Sequence, residues 1–297
     1  MRVLAIAVTY NPDIPLLAEA LRSVVPQVQG VVVVDNGSGN AAEIYKISSD
    51  AGAHTLFNSE NLGIAAAQNQ GIDFAQGYGF THVLLLDQDT VLSQGVIGNL
   101  SKNLKALEQS HGKVAAIGPT YFERHSKQWN RAYRAIGPRL QRIALEEGTQ
   151  PIASDFIIAS ASLIPIEVFQ KVGRFKEDFF IDLVDVEWCL RAKFSGYASY
   201  IAPEVSVDHH LGNGTLSIKQ HQIAVHVPIR DYYWVRNALW LARQPHTPLA
   251  WRLYLLWRSL AFLATYPTLA DRRGLRLKLI SQGIWDSFNG RLGRLKQ

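Results

Sequence analysis

Cysteine is almost missing from this chain. Cys189 stands alone among 297 residues, so no disulfide forms within the chain and no thiolate cluster can hold a metal. A lone thiol fits a reducing compartment. Two phosphate-loop signatures are also missing: there is no G-x-G-x-x-G and no G-x-x-x-x-G-K-[ST]. Neither a dinucleotide-binding nor a P-loop reading is therefore supported. Long uncharged apolar runs are absent too. The most apolar stretch, 247–267, carries Arg252 and Arg258, which argues against a spanning helix. There is no internal repeat and no low-complexity tract. Residues 1–8 already read as a strand, so no signal peptide is expected.

What is present describes a packed protein. Hydrophobic residues make up 47% and charged residues 19%, which excludes a disordered chain. The length suits one large α/β domain with an appendage. Charge is unevenly placed. Residues 216–297 hold 13 Lys and Arg against 3 Asp and Glu, a net of +10, whereas 1–215 hold 17 against 22, a net of −5. Five of the seven tryptophans also lie beyond 216. Such a shift marks two units, 1–215 and 216–297.

The first hundred residues alternate strand and helix. Strands are predicted at 3–8, 31–34, 54–57 and 83–86, and helices at 13–25, 41–51, 63–76 and 94–109. Asp13 is placed to cap the first helix, with Pro15 tolerated in its first turn. Short loops between alternating elements imply a mostly parallel sheet covered on both faces. Further on, a strand is expected at 114–117. Residues 120–150 lack periodicity and read as a mobile loop or insertion. An antiparallel strand or strand pair is expected at 156–165, helices at 166–172 and 184–194, edge strands at 198–201 and 205–207, and helices from about 218 onward.

Asp87-Gln88-Asp89 directly follows the apolar strand 83–86. Ligands of open α/β sheets bind beyond the carboxyl ends of strands. Hard divalent cations take oxygen ligands and bridge to phosphates. The pair thus suggests a metal–diphosphate site, with helix capping as the plain alternative. Val8-Thr9-Tyr10-Asn11 ends the first strand and either lines a nucleotide pocket or only turns into the helix, with Asn11 restricted by Pro12. Asp35 ends the second strand, where a carboxylate can take a ring N–H or a ribose hydroxyl; taken alone, an Asp-Asn-Gly-Ser turn that needs no ligand is the preferred reading. Asn61-Leu62-Gly63 opens a helix, and Gly63 would let a phosphate approach the backbone. The second acidic cluster runs from Phe180 through Asp182, Asp185 and Glu187 to Trp188 and Arg191. A helix N-terminus would lower the Asp185 pKa and an apolar wall would raise it. Asp208-His209-His210 follows a short strand and offers an imidazole for a metal shell, or merely a solvated turn.

These segments together resemble the family 2 glycosyltransferases. The order Val8-Thr9-Tyr10-Asn11, Val34-Asp35-Asn36-Gly37-Ser38, Asn61-Leu62-Gly63 through Asn69, Asp87-Gln88-Asp89, Asp185 with Trp188 and Arg191, then His209-x-x-Gly212 is similar to theirs across about 1–215. The resemblance implies the GT-A fold, a mostly parallel central sheet flanked by helices, here with a C-terminal helical extension. Asp87-Gln88-Asp89 and the segment 180–191 look like the rhamnosyltransferase branch, which uses dTDP-L-rhamnose to build cell-surface polysaccharide. By that resemblance Thr9, Tyr10, Asn11 and Asp35 hold the nucleoside. Asn61, Gly63, Gln88, Trp188 and Arg191 join the substrate site. Asp87 and Asp89 meet ribose and a divalent metal, Mg²⁺ or Mn²⁺, with His209 completing its shell. Asp185 is the general base. Many relatives carry Glu-Asp where this chain has Val184-Asp185, which keeps Asp182 and Glu187 as alternative bases.

The implied reaction is inverting transfer to a saccharide or lipid-linked saccharide. UDP- or GDP-sugars are alternative donors, and a metal-dependent nucleotidyltransferase is a further alternative, although residues 8–15 lack its Gly-rich phosphate loop. The basic tail suggests a membrane surface, with Trp and Tyr beside Arg in 247–267 and Arg272, Arg273, Arg276 and Lys278 after it. A nucleic-acid partner is not expected, because the tail's tryptophans sit among leucines. A helical cap or a homo-oligomer surface is the plainer reading. The expected location is cytoplasmic, peripheral at the inner face of the cell membrane.

Overall fold

The computed structural model describes residues 1–123, 128–145, 150–209, 215–218, 221–224 and 227–295. In chain order its elements are β1 (Val3–Thr9), α1 (Ile14–Val24), β2 (Gly30–Asp35), α2 (Ala41–Asp50), β3 (His54–Phe57), α3 (Ile64–Gly77), β4 (His82–Asp87) and α4 (Val96–His111). There follow β5 (Val114–Glu123), β6 (Gln128–Trp129), β7 (Arg131–Ile136), β8 (Arg139–Ala144), β9 (Ile152–Ser154), β10 (Ser162–Pro165), α5 (Ile166–Val172) and α6 (Val184–Phe194). The chain closes with β11 (Ala198–His209), β12 (Thr215–Ile218), β13 (His221–Ala224), α7 (Pro228–Leu241), α8 (Leu249–Leu269) and α9 (Arg273–Phe288).

The main sheet runs β3-β2-β1-β4-β10-β5-β11-β9, with β6 paired to β5. Strands β3, β2, β1 and β4 are parallel, as are β5 and β11, while β10 runs against both of its neighbours. Alternating residues of β1 enter opposite layers. Leu4, Ile6 and Val8 join α3, α5 and α6 on one face; Val3, Ala5 and Ala7 join α1 and α4 on the other. Burial on both sides is why these strands read as unbroken apolar runs. Helix α1 starts where expected, with Asp13 Oδ1 accepting from the Leu16 N–H at 3.0 Å, a stabilising N-cap. Chain order and sheet order part company at β1: β2 and β3 lie on one side of it and β4 on the other. That switch point opens a crevice beyond the carboxyl ends of β1 and β4.

Four local expectations are corrected. Within 120–150, β5 continues to Glu123 and β7–β8 form a hairpin. Arginines at 131, 134, 139 and 142 are exposed there, so the hairpin lacks the apolar alternation that announces a strand. In 156–165 only Ser162–Pro165 is strand; Ala161 takes a left-handed φ of 58° and ends the irregular stretch before it. The two edge strands are one interior strand, β11, lying between β5 and β9. Its register to β5 shifts between Ala202 and Ser206, around Pro203, which has no N–H to donate. In place of the helices expected from about 218, β13 pairs with β12 as a hairpin, and the helices begin at Pro228.

Candidate active site

Strand register brings the first motif residues into one row. Thr9 lies opposite Asp35, and Val8 opposite Asp87. Asp35 is only 1% exposed. Its Oδ1 accepts from Thr9 Oγ1 at 3.0 Å and from the Ser38 hydroxyl, and its Oδ2 accepts from the Ser38 N–H at 3.0 Å. Thr9 and Asp35 therefore tie the ends of β1 and β2 together and brace the turn at Ser38. Asn11 has a φ of 47° rather than the extended form expected before proline. Its N–H donates to Ser38 Oγ and its Oδ1 accepts from the Gly39 N–H, both at 2.8 Å. Gln88 Oε1 accepts from the Tyr10 N–H at 2.9 Å, tying the loop after β1 to the loop after β4. Tyr10 is left 49% exposed just beyond β1.

A second network fixes the start of α3. Asn36 Nδ2 donates to Asn61 Oδ1 and to the Gly63 carbonyl at 3.1 Å each, and Asn61 Oδ1 accepts from the Gly63 N–H at 2.9 Å. Gly63 has a φ of 91°. A Cβ there would sit 2.6 Å from the Phe180 carbonyl oxygen, and the Ile64 N–H donates to that same oxygen at 2.7 Å. The close approach expected of a phosphate is thus made by the protein's own 180 loop.

That loop is strained. Phe180, Asp182 and Leu183 all have φ between 62° and 66°, a conformation costing non-glycine residues on the order of 1–3 kcal/mol each. It delivers Asp185 to the second position of α6, with the carboxylate facing a cleft of ≈ 390 Å³. Asp87, Asp182, Gln68, Ser160 and Arg230 face the same cleft. Burial pushes the Asp185 carboxyl up to about 6; hydrogen bonds from backbone N–H groups pull the other way, and the charges of Asp182 and Asp87 push it further up. The Val186 N–H donates to Asp185 Oδ1 at 2.8 Å. Desolvation therefore outweighs the helix N-terminus.

The rival carboxylates are engaged elsewhere. Asp182 accepts from Arg230 Nε and Nη2, one edge of the guanidinium against both carboxylate oxygens. Glu187 is buried and accepts from Arg191 Nε and Nη2, each at 2.8 Å. This corrects two expected substrate contacts. Arg191 donates also to the Val172 and Arg174 carbonyls, and Trp188 is buried with its Nε1 on the Gly173 carbonyl at 2.9 Å. Both hold α6 against the segment after α5, outside the cleft, because their i, i+3 face turns into the core.

Asp89 lies on the turn after β4, partly exposed. His209 ends β11, and its side chain lies outside the described residues, as does Gly212. Among the described residues no three His, Cys, Asp or Glu side chains form a metal cluster. Sequence reasoning missed Gln68, Ser160 and Arg230. Gln68 is 3% exposed, and its Oε1 has no hydrogen-bond partner among the described residues. Its position inside a helical run next to Asn69 gave no local sign of this. Arg230 comes from the tail, and only folding brings it to the cleft.

Comparison with known proteins agrees with this geometry. Residues 5–173 match the profile of Glycosyl transferase family 2. The chain is 34% identical over 249 residues to the dTDP-rhamnosyl transferase RfbF of Shigella flexneri, covering 83% of this chain and 82% of that protein. It is 25% identical over 186 residues to the low-salt glycan biosynthesis hexosyltransferase Agl10 of Haloferax volcanii, covering 59% of this chain and 58% of the relative. Among solved structures, S. aureus TarS 1-349 in complex with UDP-GlcNAc superposes with a TM-score of 0.60 at 14% identity, over 97% of this chain and 81% of that one. A longer TarS chain superposes at 0.54 and 15% identity, over 94% of this chain, which spans 46% of it.

Proposed function

The chain belongs to glycosyl transferase family 2, and from that premise we propose that it moves L-rhamnose from dTDP-L-rhamnose to a hydroxyl of a saccharide or lipid-linked saccharide, with inversion. The donor assignment draws on the rhamnosyl transferase relative. The catalytic assignment rests on one observation: Asp185 faces the cleft with a raised pKa, while Asp182 and Glu187 are bound by arginines.

The acceptor hydroxyl lies against Asp185. Its carboxylate takes the hydroxyl proton as the oxygen attacks the anomeric carbon. The new C–O bond forms opposite the breaking bond to the diphosphate, which leaves on the nucleoside. No enzyme nucleophile is needed. Gln68 Oε1, buried and without a partner among the described residues, is suited to accept from a sugar hydroxyl, since an unmet buried acceptor costs about 1–3 kcal/mol until a donor arrives. The exposed Tyr10 ring covers the nucleoside end.

Asp87 and Asp89 suit Mg²⁺ or Mn²⁺. They are hard oxygen donors two residues apart, the set that binds such an ion together with diphosphate oxygens. Three carboxylates and one guanidinium among the cleft's described lining also leave a negative field. When bound, the ion supplies positive charge against the leaving diphosphate.

A lipid-linked acceptor would bring the protein to the cytoplasmic face of a membrane. Among the described residues no helix is long and apolar enough to cross one. Support for surface contact comes from α8, but not from its arginines. Arg252 donates inward to the Thr247 and Gln244 carbonyls, and Arg258 lies over the Trp234 and Phe262 rings. The outward stripe is Leu249, Leu253, Leu256, Trp257 and Leu260, with Arg272, Arg273 and Lys278 exposed beyond it. An exposed apolar stripe, with exposed cations later in the chain, suits an anionic interface.

The test is a nucleotide-sugar panel with purified protein, reading nucleoside diphosphate release with Mg²⁺, with Mn²⁺ and with chelator. Metal-dependent release from dTDP-L-rhamnose is the expected result. Release only from a UDP- or GDP-sugar would overturn the donor, and absence of binding to every nucleotide sugar would overturn the site.

A further inference from the structure

The family match ends at residue 173, yet the segment that aims Asp185 is held from beyond residue 230. We infer that Arg236 and Asn237 of α7 are positioning residues for catalysis, a brace that holds the 178–183 segment in the shape that presents Asp185 to the acceptor.

Both side chains are fully buried. Asn237 Nδ2 donates to three carbonyls of the segment: Phe179 at 3.0 Å, Ile181 at 2.9 Å and Asp182 at 3.0 Å. Arg236 Nη2 donates to Asp178 at 3.0 Å and Phe179 at 3.1 Å. Arg236 Nε donates to Asn237 Oδ1 at 3.0 Å, which fixes the orientation of the amide. Phe180 stacks on Tyr233 of the same helix, with centroids 4.9 Å apart. The held carbonyls belong to the stretch that contains three left-handed residues. Such a conformation persists only where its surroundings over-determine it; here one face of α7 holds four of the carbonyls, and the Ile64 N–H at the start of α3 holds that of Phe180. Beyond Leu183 the chain enters α6, so the orientation of the brace passes to Asp185 two residues on. Misplacing a reacting group by about 1 Å reduces turnover by about 100-fold.

The inference rests on Asp185 being the base, and the experiment separates the two. Asn237→Ala, Arg236→Lys, Asp185→Asn and Leu104→Ala are assayed in the full chain. Leu104 is a stability control: it is fully buried on α4, in the core layer on the face of the sheet opposite α6, so its truncation lowers stability without touching α7 or the 178–183 segment. The expected result for Asn237→Ala is a kcat lowered about 100-fold, nucleoside diphosphate affinity within about threefold of wild type, and faster amide exchange confined to 179–186. Leu104→Ala lowers the melting temperature and leaves kcat near wild type. If Asn237→Ala does not fold, Arg236→Lys carries the test, because it keeps the buried charge and loses the bond that orients Asn237. A kcat within about threefold of wild type in the folded variant, or an equal kcat loss in Leu104→Ala, overturns the brace. Full activity of Asp185→Asn overturns the base instead.

Discussion

Arg230 grips Asp182 at the rim of the cleft, its Nε 3.1 Å from Oδ2 and its Nη2 on Oδ1. The pair joins the tail to the loop that carries Asp185, and it neutralises one of three carboxylates facing a single space. Removing the guanidinium would leave Asp182 charged beside Asp185, whose pKa the Asp182 charge already raises. Arg230→Ala is therefore expected to shift the acidic limb of the pH–rate profile to higher pH and to lower kcat about tenfold or more at neutral pH. Adding Asp182→Asn should move the limb back. A limb unmoved by either change would disprove the coupling.

Asp185→Asn tests the base directly. The amide keeps the size of the side chain and its acceptor for the Val186 N–H but cannot take a proton. Turnover should fall about 10³-fold with nucleotide-sugar affinity retained. The same change should stabilise the fold at pH 7.5 by about 1–3 kcal/mol, since a charged group is removed from a desolvating site. Initial rates and thermal unfolding of the pair of proteins check both halves.

The pH dependence has a defined sign. A base works deprotonated, and burial holds Asp185 up to about 6 against an ordinary 3.8. The logarithm of kcat/KM for the free enzyme should be flat above pH 7 and fall with unit slope below about 6. Stability responds in the opposite sense. The folded state binds the proton more tightly than the unfolded state, so this residue's contribution is fully favourable below 3.8 and is lost as pH rises through about 6. Rates and unfolding free energies across pH 4.5–8 would test this.

Gln68→Leu removes an acceptor that has no partner among the described residues. Deleting such a group with similar volume is close to neutral for stability. Its effect should fall on substrate, as a KM for donor or acceptor raised about tenfold, equivalent to about 1.4 kcal/mol. Steady-state kinetics beside a melting curve distinguishes this from a packing defect, in which stability falls and KM does not change.

Leu253→Glu with Trp257→Glu places two charges on the outward stripe of α8, where Trp257 is 60% exposed. Sedimentation with vesicles containing anionic lipid should show binding by the wild type and at least a tenfold loss in the double variant, each buried Leu or Trp contributing about 1.5–3 kcal/mol. Turnover on a soluble acceptor should not change. Equal vesicle binding by both proteins would remove the membrane assignment.

The parallel half of the fold and its ligand end were legible because their signals are local. Strands buried on both faces read as Val31-Val32-Val33-Val34 and Val83-Leu84-Leu85-Leu86, and aspartates at strand ends announce the crevice through chain order alone. The candidate base could be narrowed to three carboxylates within six residues, but not chosen. Asp182, Asp185 and Glu187 differ in what surrounds them: Arg230 on one, Arg191 on another, and a desolvating cleft on the third. Those partners come from α6 itself and from a helix more than forty residues away. The same holds for Trp188 and Arg191, whose motif pointed to substrate and whose packing turns them into the core. Sequence by itself determined the strand–helix alternation and the chemistry available at the strand ends, because apolar periodicity and turn residues act over a few positions. Tertiary structure alone decided which carboxylate is free to act, because desolvation and ion pairing depend on groups that only folding brings together.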